Sequence, residues 1–352
     1  MGIVYATRED VMRAVDSKET ARNAAQIDRG LEAASRNIDA LCHRRFYPEV
    51  ATRSFDWPNS QRAAPWRLWL DANELVSVSA VTSGGTAISP ADVLLEPSAY
   101  GPPYNRLELN LGSDAAFGGG STHQRDITIT GLWAGCAVDE TQVGTIAEAL
   151  DASETGVDVD GATAAVVGVG SVLRADSERM VVTGRTMLDT SQNLGADLDS
   201  KANAVTVPVA STAGFALDEV VLIDAERMLV VDIAGSNLIV KRGWDGSVLA
   251  AHTTGADVYA ARTLTVRRGA LGTTAASHTT AAPVYRWDPP GPVQSLTVAE
   301  VLNALGLEQA SYSVVLRAGE TGSERTRDLR GLQALREQVR VSYARQARLR
   351  GV

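Results

Sequence analysis

Lysine is almost missing from this chain. Lys18, Lys201 and Lys241 stand beside thirty arginines, so nearly all of the 33 basic side chains are guanidinium groups that keep their charge in any surroundings. Two cysteines, Cys42 and Cys136, are too few for a disulfide framework, and free thiols are expected. No apolar run approaches the ~20 residues of a membrane span. The first residues also lack the charged-then-apolar pattern of a secretory signal. A chain made in the cytoplasm, with no membrane contact, is the expectation. The four histidines have no metal-ligand spacing, and there is no P-loop, nucleophile elbow or dinucleotide fingerprint. We therefore expect no metal, no cofactor and no catalytic set, hence not an enzyme.

Acid outweighs base, 42 side chains to 33, but unevenly. Residues 139–160 hold seven acids and no base, whereas residues 324–352 hold eight arginines against Glu324, Asp328 and Glu337. An acidic middle argues against a β domain that grips nucleic acid and leaves one basic end.

What the chain does have is a duplication. Residues 157–182 align without a gap on residues 205–230, so that Asp176-Ser177-Glu178-Arg179-Met180 falls on Asp224-Ala225-Glu226-Arg227-Met228. A second block sits at another offset. Residues 238–259 match residues 264–285, sharing Arg242-Gly243 with Arg268-Gly269, and His252 with His278. The order is first half, first half, second half, second half. Two arrangements fit it: a module at 190–261 nested inside one built from 145–189 and 262–286, or separate small repeats in tandem. Nesting is favoured because Ala234-Gly235-Ser236-Asn237 reads as a hairpin turn, and a hairpin tip tolerates an inserted domain. Thr183 to Gln192 would be the same tip opened out. Alternating Val, Ile and Leu predict a small β-barrel or sandwich for each module.

Around the modules the pattern is simpler. Thr7-Arg8-Glu9-Asp10 reads as a capping box before a short helix. A second helix is predicted from about Thr20 to Arg45, with Ile27, Leu31, Ala34, Ile38 and Leu41 on one face, ended by Pro48. Residues 49–144 alternate as strands, with Ser83-Gly84-Gly85-Thr86 as a turn and Gly118-Gly119-Gly120 as a flexible tip. Trp57, Trp66, Trp69 and Trp133 are expected to pack that sheet. After a stiff Pro289-Pro290-Gly291-Pro292 linker, Thr297 to Glu300 reads as a second capping box. A last helix should run from about Glu324 to Arg345. The predicted class is α+β: a helical bundle from residues 1–48 and 287–352, with a β layer and two inserted β modules between them.

The recurring residues invite a catalytic reading. Glu178 with Arg179, and Glu226 with Arg227, could be acid–base pairs, and His252 or His278 a base. A catalytic group has no reason to appear twice at matched positions, whereas a structural one does. The expectation is therefore a structural signature: Glu178, Arg179, Met180, Glu226, Arg227, Met228, Arg242, Gly243, His252, Arg268, Gly269 and His278. In it each Glu pairs with a hydrogen bond or salt bridge and each Met packs inward.

The residues His43-Arg44-Arg45-Phe46-Tyr47-Pro48, Arg67-Leu68-Trp69-Leu70-Asp71, residues 102–109 and 126–133, residues 296–305 and the terminal residues 331–352 together resemble a head-to-tail adaptor. Such adaptors are head-completion or connector proteins of long-tailed double-stranded DNA phages, and the β insertions suggest an actinobacterial-phage type. The resemblance implies a homo-oligomeric ring, usually of twelve subunits, docked under the portal protein at the head–tail junction of the virion. DNA would pass through the lumen without sequence-specific binding, and the next neck, stopper or tail protein would bind below. The basic end is then the portal-docking tail, with Tyr343 and Leu349 in apolar pockets and Arg345, Arg348 and Arg350 meeting carboxylates. The alternative is a carbohydrate- or host-binding tail protein that uses its β modules. That reading expects clustered exposed aromatics, and the modules offer only Trp244, Tyr259 and Tyr285.

Overall fold

The computed structural model describes residues 2–15, 24–57, 64–309, 315–318, 323–326 and 330–345. The chain divides into two compact units. Met1–Leu41, Glu140–Ala270 and Thr274–Ser342 form the first, and Cys42–Asp139, Leu271–Thr273 and Tyr343–Val352 the second. The described helices are α1 (Arg8–Val15), α2 (Ala24–Cys42), α3 (Gly161–Val166), α4 (Gly291–Gln309) and α5 (Arg330–Tyr343). None is long and apolar enough to cross a membrane. With its large antiparallel sheets, the chain is mixed α+β.

In the first unit the helices from both ends of the chain share one apolar cluster. Val11 of α1, Ile27, Leu31 and Ala34 of α2, and Val301 of α4 are buried in it together. The first capping box forms as expected: the Asp10 N–H donates to Thr7 Oγ1 at 3.1 Å and the Thr7 N–H to Asp10 Oδ2 at 2.9 Å. The second does not. Residues 289–292 are no linker out of the β modules but the start of α4, whose first N–H groups reach the Pro290 carbonyl. A proline in the first turn gives up only an N–H that would have lacked a helical partner. Thr297 thus lies one turn further in, donating to the Val293 carbonyl at 2.8 Å. Glu300 is left to pair with Arg336 of α5 at 2.5 and 2.8 Å. The predicted start of α2 at Thr20 lies outside the described residues. Its end comes earlier than Arg45, because His43 adopts a left-handed φ of 52°. The last helix begins at Arg330, and Ser323–Thr326 is instead a strand paired with Val315–Ala318.

Apart from the Val315–Ala318 and Ser323–Thr326 pair, the described β part of the first unit is one 10-stranded antiparallel sheet, not two closed barrels. Two long strands explain why. Glu178–Asn193 and Asp257–Arg267 pair along nearly their whole length, from Val181 opposite Arg267 to Asn193 opposite Asp257. The stretch expected to be an opened tip is therefore continuous strand, bent by register shifts between Val182 and Gly184, Thr186 and Leu188, and Asp189 and Gln192. At one end of this ribbon Leu173, Met180, Val182, Leu264, Val266 and Val284 close a core drawn from residues 146–182 and 264–284. At the other end Leu194, Val207, Val221, Met228, Val240 and Val258 close a second, drawn wholly from residues 194–260. The first core thus draws on chain segments from both sides of the second. The Ala234–Asn237 turn closes its hairpin, with Gly235 at φ 62°.

The second unit packs a four-stranded sheet and a three-stranded sheet around Leu68, Leu75, Leu107, Ile127, Ile129 and Trp133. Trp57 and Trp133 are buried there, and Trp66 packs against them partly exposed. Trp69 is half-buried with Arg106 across its ring. In strand Leu75–Ser83 the buried residues are Leu75, Val81 and Ser83, with Val78 packed against the same core. Register shifts at Leu75/Ser77 and Val78/Ala80 break the strict alternation, so the inward face steps by three residues from Leu75 to Val78 to Val81. Gly131 accommodates the bulge: a Cβ there would lie 2.2 Å from the Ser77 oxygen. Leu111 lies beyond the strand end at Leu109 and is exposed. The Gly118–Gly120 segment is not a free tip. The Gly118 N–H donates to Ser83 Oγ at 2.8 Å, and Gly120 packs on the Gly84 turn.

Because the outer core takes no residue from 187–262, replacing Met187–Arg262 by Asn-Gly should leave it intact. Thr186 pairs with Thr263, so a two-residue turn closes the shortened hairpin in register. The expected outcome is a soluble protein with unchanged helical circular dichroism and a single melting transition. Loss of the helical signal would mean that the modules fold as one.

Candidate functional site

The residues singled out by duplication converge on two buried knots. Each hairpin turn, Asp176-Ser177 and Asp224-Ala225, links strands whose flanking residues pair as Ala175 with Glu178 and Ile223 with Glu226. The first turn residue is left-handed in both, with φ 49° at Asp176 and 52° at Asp224. Asp tolerates that conformation, which suits a tight hairpin. The turn delivers the glutamate inward.

Glu178 then accepts five N–H groups: Arg268 Nε at 2.7 Å and Nη2 at 2.8 Å, the Gly269 and Ala276 amides at 2.9 Å each, and His278 Nε2 at 3.0 Å. Glu226 does the same with Arg242 Nε and Nη2 at 2.7 Å each, Gly243 N at 2.8 Å, Ala250 N at 2.9 Å and His252 Nε2 at 3.0 Å. The other ring nitrogen of each histidine meets the turn aspartate, His278 Nδ1 to Asp176 at 2.8 Å and His252 Nδ1 to Asp224 at 2.7 Å. Each arginine spends its remaining N–H groups on carbonyls. Arg268 reaches Asp151, Glu154 and Ala276, and Arg242 reaches Asp199, Ala204 and Ala250. Both glutamates and both imidazoles are fully enclosed, at 0% side-chain exposure.

Burial alone would raise the glutamate pKa values, but the arginine forks and the amides outweigh it, and each is held down to about 2. A carboxylate held ionised at neutral pH and sealed from solvent neither gives nor takes a proton there. Among the described residues no group of three or more His, Cys, Asp or Glu side chains is arranged to hold a metal.

The signature is thus assembled, with one correction. Arg179 and Arg227 do not pair with their neighbouring glutamates. Successive strand residues point to opposite faces, so Arg179 turns outward to Glu140 at 3.0 Å and Arg227 to Asp245 at 2.7 Å. Met180 and Met228 face inward with the glutamates and are buried. The sequence reading assigned no role to Asp176 and Asp224, although their recurrence carried the signal. It also missed Glu219 paired with Arg262 at 2.6 Å, and Glu9 beside Arg185. These pairs join distant residues and leave no local pattern.

The proposed docking tail divides differently. Tyr343 packs edge-on against Phe46, with centroids 5.8 Å apart. Arg345 contacts Glu74 at 3.3 Å and the Ala72 carbonyl, and its N–H donates to the Cys42 carbonyl at 2.9 Å. These residues belong to their own unit's packing, not to a free arm. Arg348, Leu349 and Arg350 lie outside the described residues. Tyr259 and Tyr285 are half-buried, and Arg174 lies 4.4 Å over the Tyr285 ring.

Compared with known proteins, the chain matches no family model, no curated protein and no solved structure.

The knots set a pH dependence. Each glutamate has a folded pKa near 2 against 4.5 unfolded, so the unfolded chain binds protons first as pH falls. The stabilisation is fully present above pH 4.5 and is lost between 4.5 and 2, about 3 kcal/mol per knot. Thermal melts from pH 7 to pH 2.5 should therefore fall steeply below 4.5. Glu226→Gln, which leaves Arg242 uncompensated, should cost roughly 3–5 kcal/mol at pH 7 and flatten that slope. A variant melting like the parent would remove the knot from the account.

Proposed function

We propose that this chain is a structural virion protein, a ring-forming head-to-tail adaptor that docks on the portal vertex, extends the DNA channel and seats the next neck or tail protein. The reading rests on the sequence resemblance, and one observation of the fold supports it. Helices from the two ends of the chain share a core, while the duplicated β modules are a long excursion between them. A platform of terminal helices with β insertions is the organisation the resemblance implies. The groups most open to a catalytic reading are sealed inside the modules as struts, which fits a scaffold better than an enzyme.

The tail-protein alternative draws less support. Glycan platforms need exposed aromatic faces, and Trp244, Tyr259 and Tyr285 are all half-buried, with Lys241 5.3 Å from the Trp244 ring centre.

Purified protein imaged by electron microscopy, alone and with portal protein added, should form closed rings. Immunogold labelling of the virions should mark the head–tail junction. Label confined to the tail tip would contradict the proposal.

A further inference from the structure

A cleft of about 230 Å³ opens in the first unit between α1, the start of α2 and both β modules. It has about the room of seven or eight liquid waters, at ~30 Å³ each. Three guanidiniums line it, and they differ in how well they are matched. Arg8 is fully engaged by Asp28, Nε to Oδ1 at 2.9 Å and Nη2 to Oδ2 at 2.6 Å. Arg227 gives Nη1 to Asp245 at 2.7 Å, is 42% exposed and has no second side-chain partner among the described residues.

Arg185 is the anomaly. Its side chain is only 10% exposed, and Nη2 serves the carbonyls of Ala164 and Ala261 at 2.6 and 2.9 Å. Nε is buried without a hydrogen-bond partner among the described residues. The carboxylate beside it, Glu9, stands 3.7 Å from Nη1, beyond hydrogen-bond reach. Glu9 instead accepts the Val169 N–H at 2.7 Å. A buried cation without a hydrogen-bonded counter-ion is costly unless something completes it. The rest of the wall is apolar: Met12, Met187, Val220 and the half-buried indole of Trp244.

The geometry points to a binding site for a small organic monocarboxylate with an aromatic or branched aliphatic body. The ligand's carboxylate completes Arg185 through Nη1 and takes the spare N–H groups of Arg227, while its body lies against Met12, Met187 and Trp244. Such bidentate-capable donors beside an apolar wall suit a flat carboxylate better than a neutral amide or a bare phosphate. Besides Arg185, the charged groups facing Glu9 across the cleft are Arg8 with Asp28, and Arg227 with Asp245. A second carboxylate at Arg185 repels that of Glu9, whose pKa burial already pushes up, so binding brings proton uptake at Glu9. The site does not depend on the adaptor reading.

Benzoate is the probe and benzamide its neutral control, titrated calorimetrically into the full chain. Benzoate should bind in the millimolar range or tighter, at least tenfold better than benzamide, and more tightly at pH 5.5 than at pH 7.5. Arg227→Gln, at a half-exposed position, should weaken benzoate at least fivefold without lowering the melting temperature. Met12→Trp should fill the cleft and abolish binding. Equal binding of the two probes, no binding of benzoate, or an Arg227→Gln protein that binds like the parent would each overturn the site.

Discussion

One buried carboxylate receiving five N–H groups is the interaction on which each β module depends. Glu178 gathers donors from residues 90 to 100 positions away, and Glu226 gathers its own from 16 to 26 positions away. The same knot therefore closes one long loop and one short one. A buried ion pair contributes little net stability against an apolar substitute, yet removing one partner is expensive. What the knot does is bind parts of one module to each other. Each arginine that meets the glutamate is also committed to carbonyls of its own module, Arg268 to Asp151 and Glu154, Arg242 to Asp199 and Ala204.

The second constraint is the ribbon formed by Glu178–Asn193 and Asp257–Arg267. It carries backbone hydrogen bonds through the insertion point, so the inner module is held by strands and not by a slack linker. The register shifts along it let two cores lie at its ends without closing a barrel. At the junction Arg262 leaves the ribbon to pair with the buried Glu219 of the inner module, and Arg185 leaves it toward Glu9 of α1. Beside the edge-on packing of Tyr5 on Trp287, these arginines link the helical layer and the modules of this unit, in keeping with a chain whose cations are nearly all arginine.

Much of this was legible in the residues, and the failures have physical causes. The duplication could be read because it is a pattern at the scale of whole modules, independent of local propensity. The knot's arginine was misassigned because sequence adjacency suggested Arg179, whereas strand alternation sends neighbours to opposite faces. The second capping box failed because Thr and Glu three apart also fit inside a helix, and the prolines that looked like a linker served as its first turn. Strict alternation fails along strand Leu75–Ser83 because two bulges step its inward face by three residues, which no local pattern announces. Long-range pairs such as Glu9 with Arg185 carry no local signature.

The central claim is that each knot closes its own cooperative module. Native-state hydrogen exchange of the amides bound to the two carboxylates tests it most directly. Gly243 and Ala250 should share one protection and one denaturant dependence, while Gly269 and Ala276 share another, with both pairs far slower than exposed turn amides such as Ser153. Rapid exchange of these four amides, or protection that groups Gly243 with Gly269 instead of with Ala250, would contradict the account.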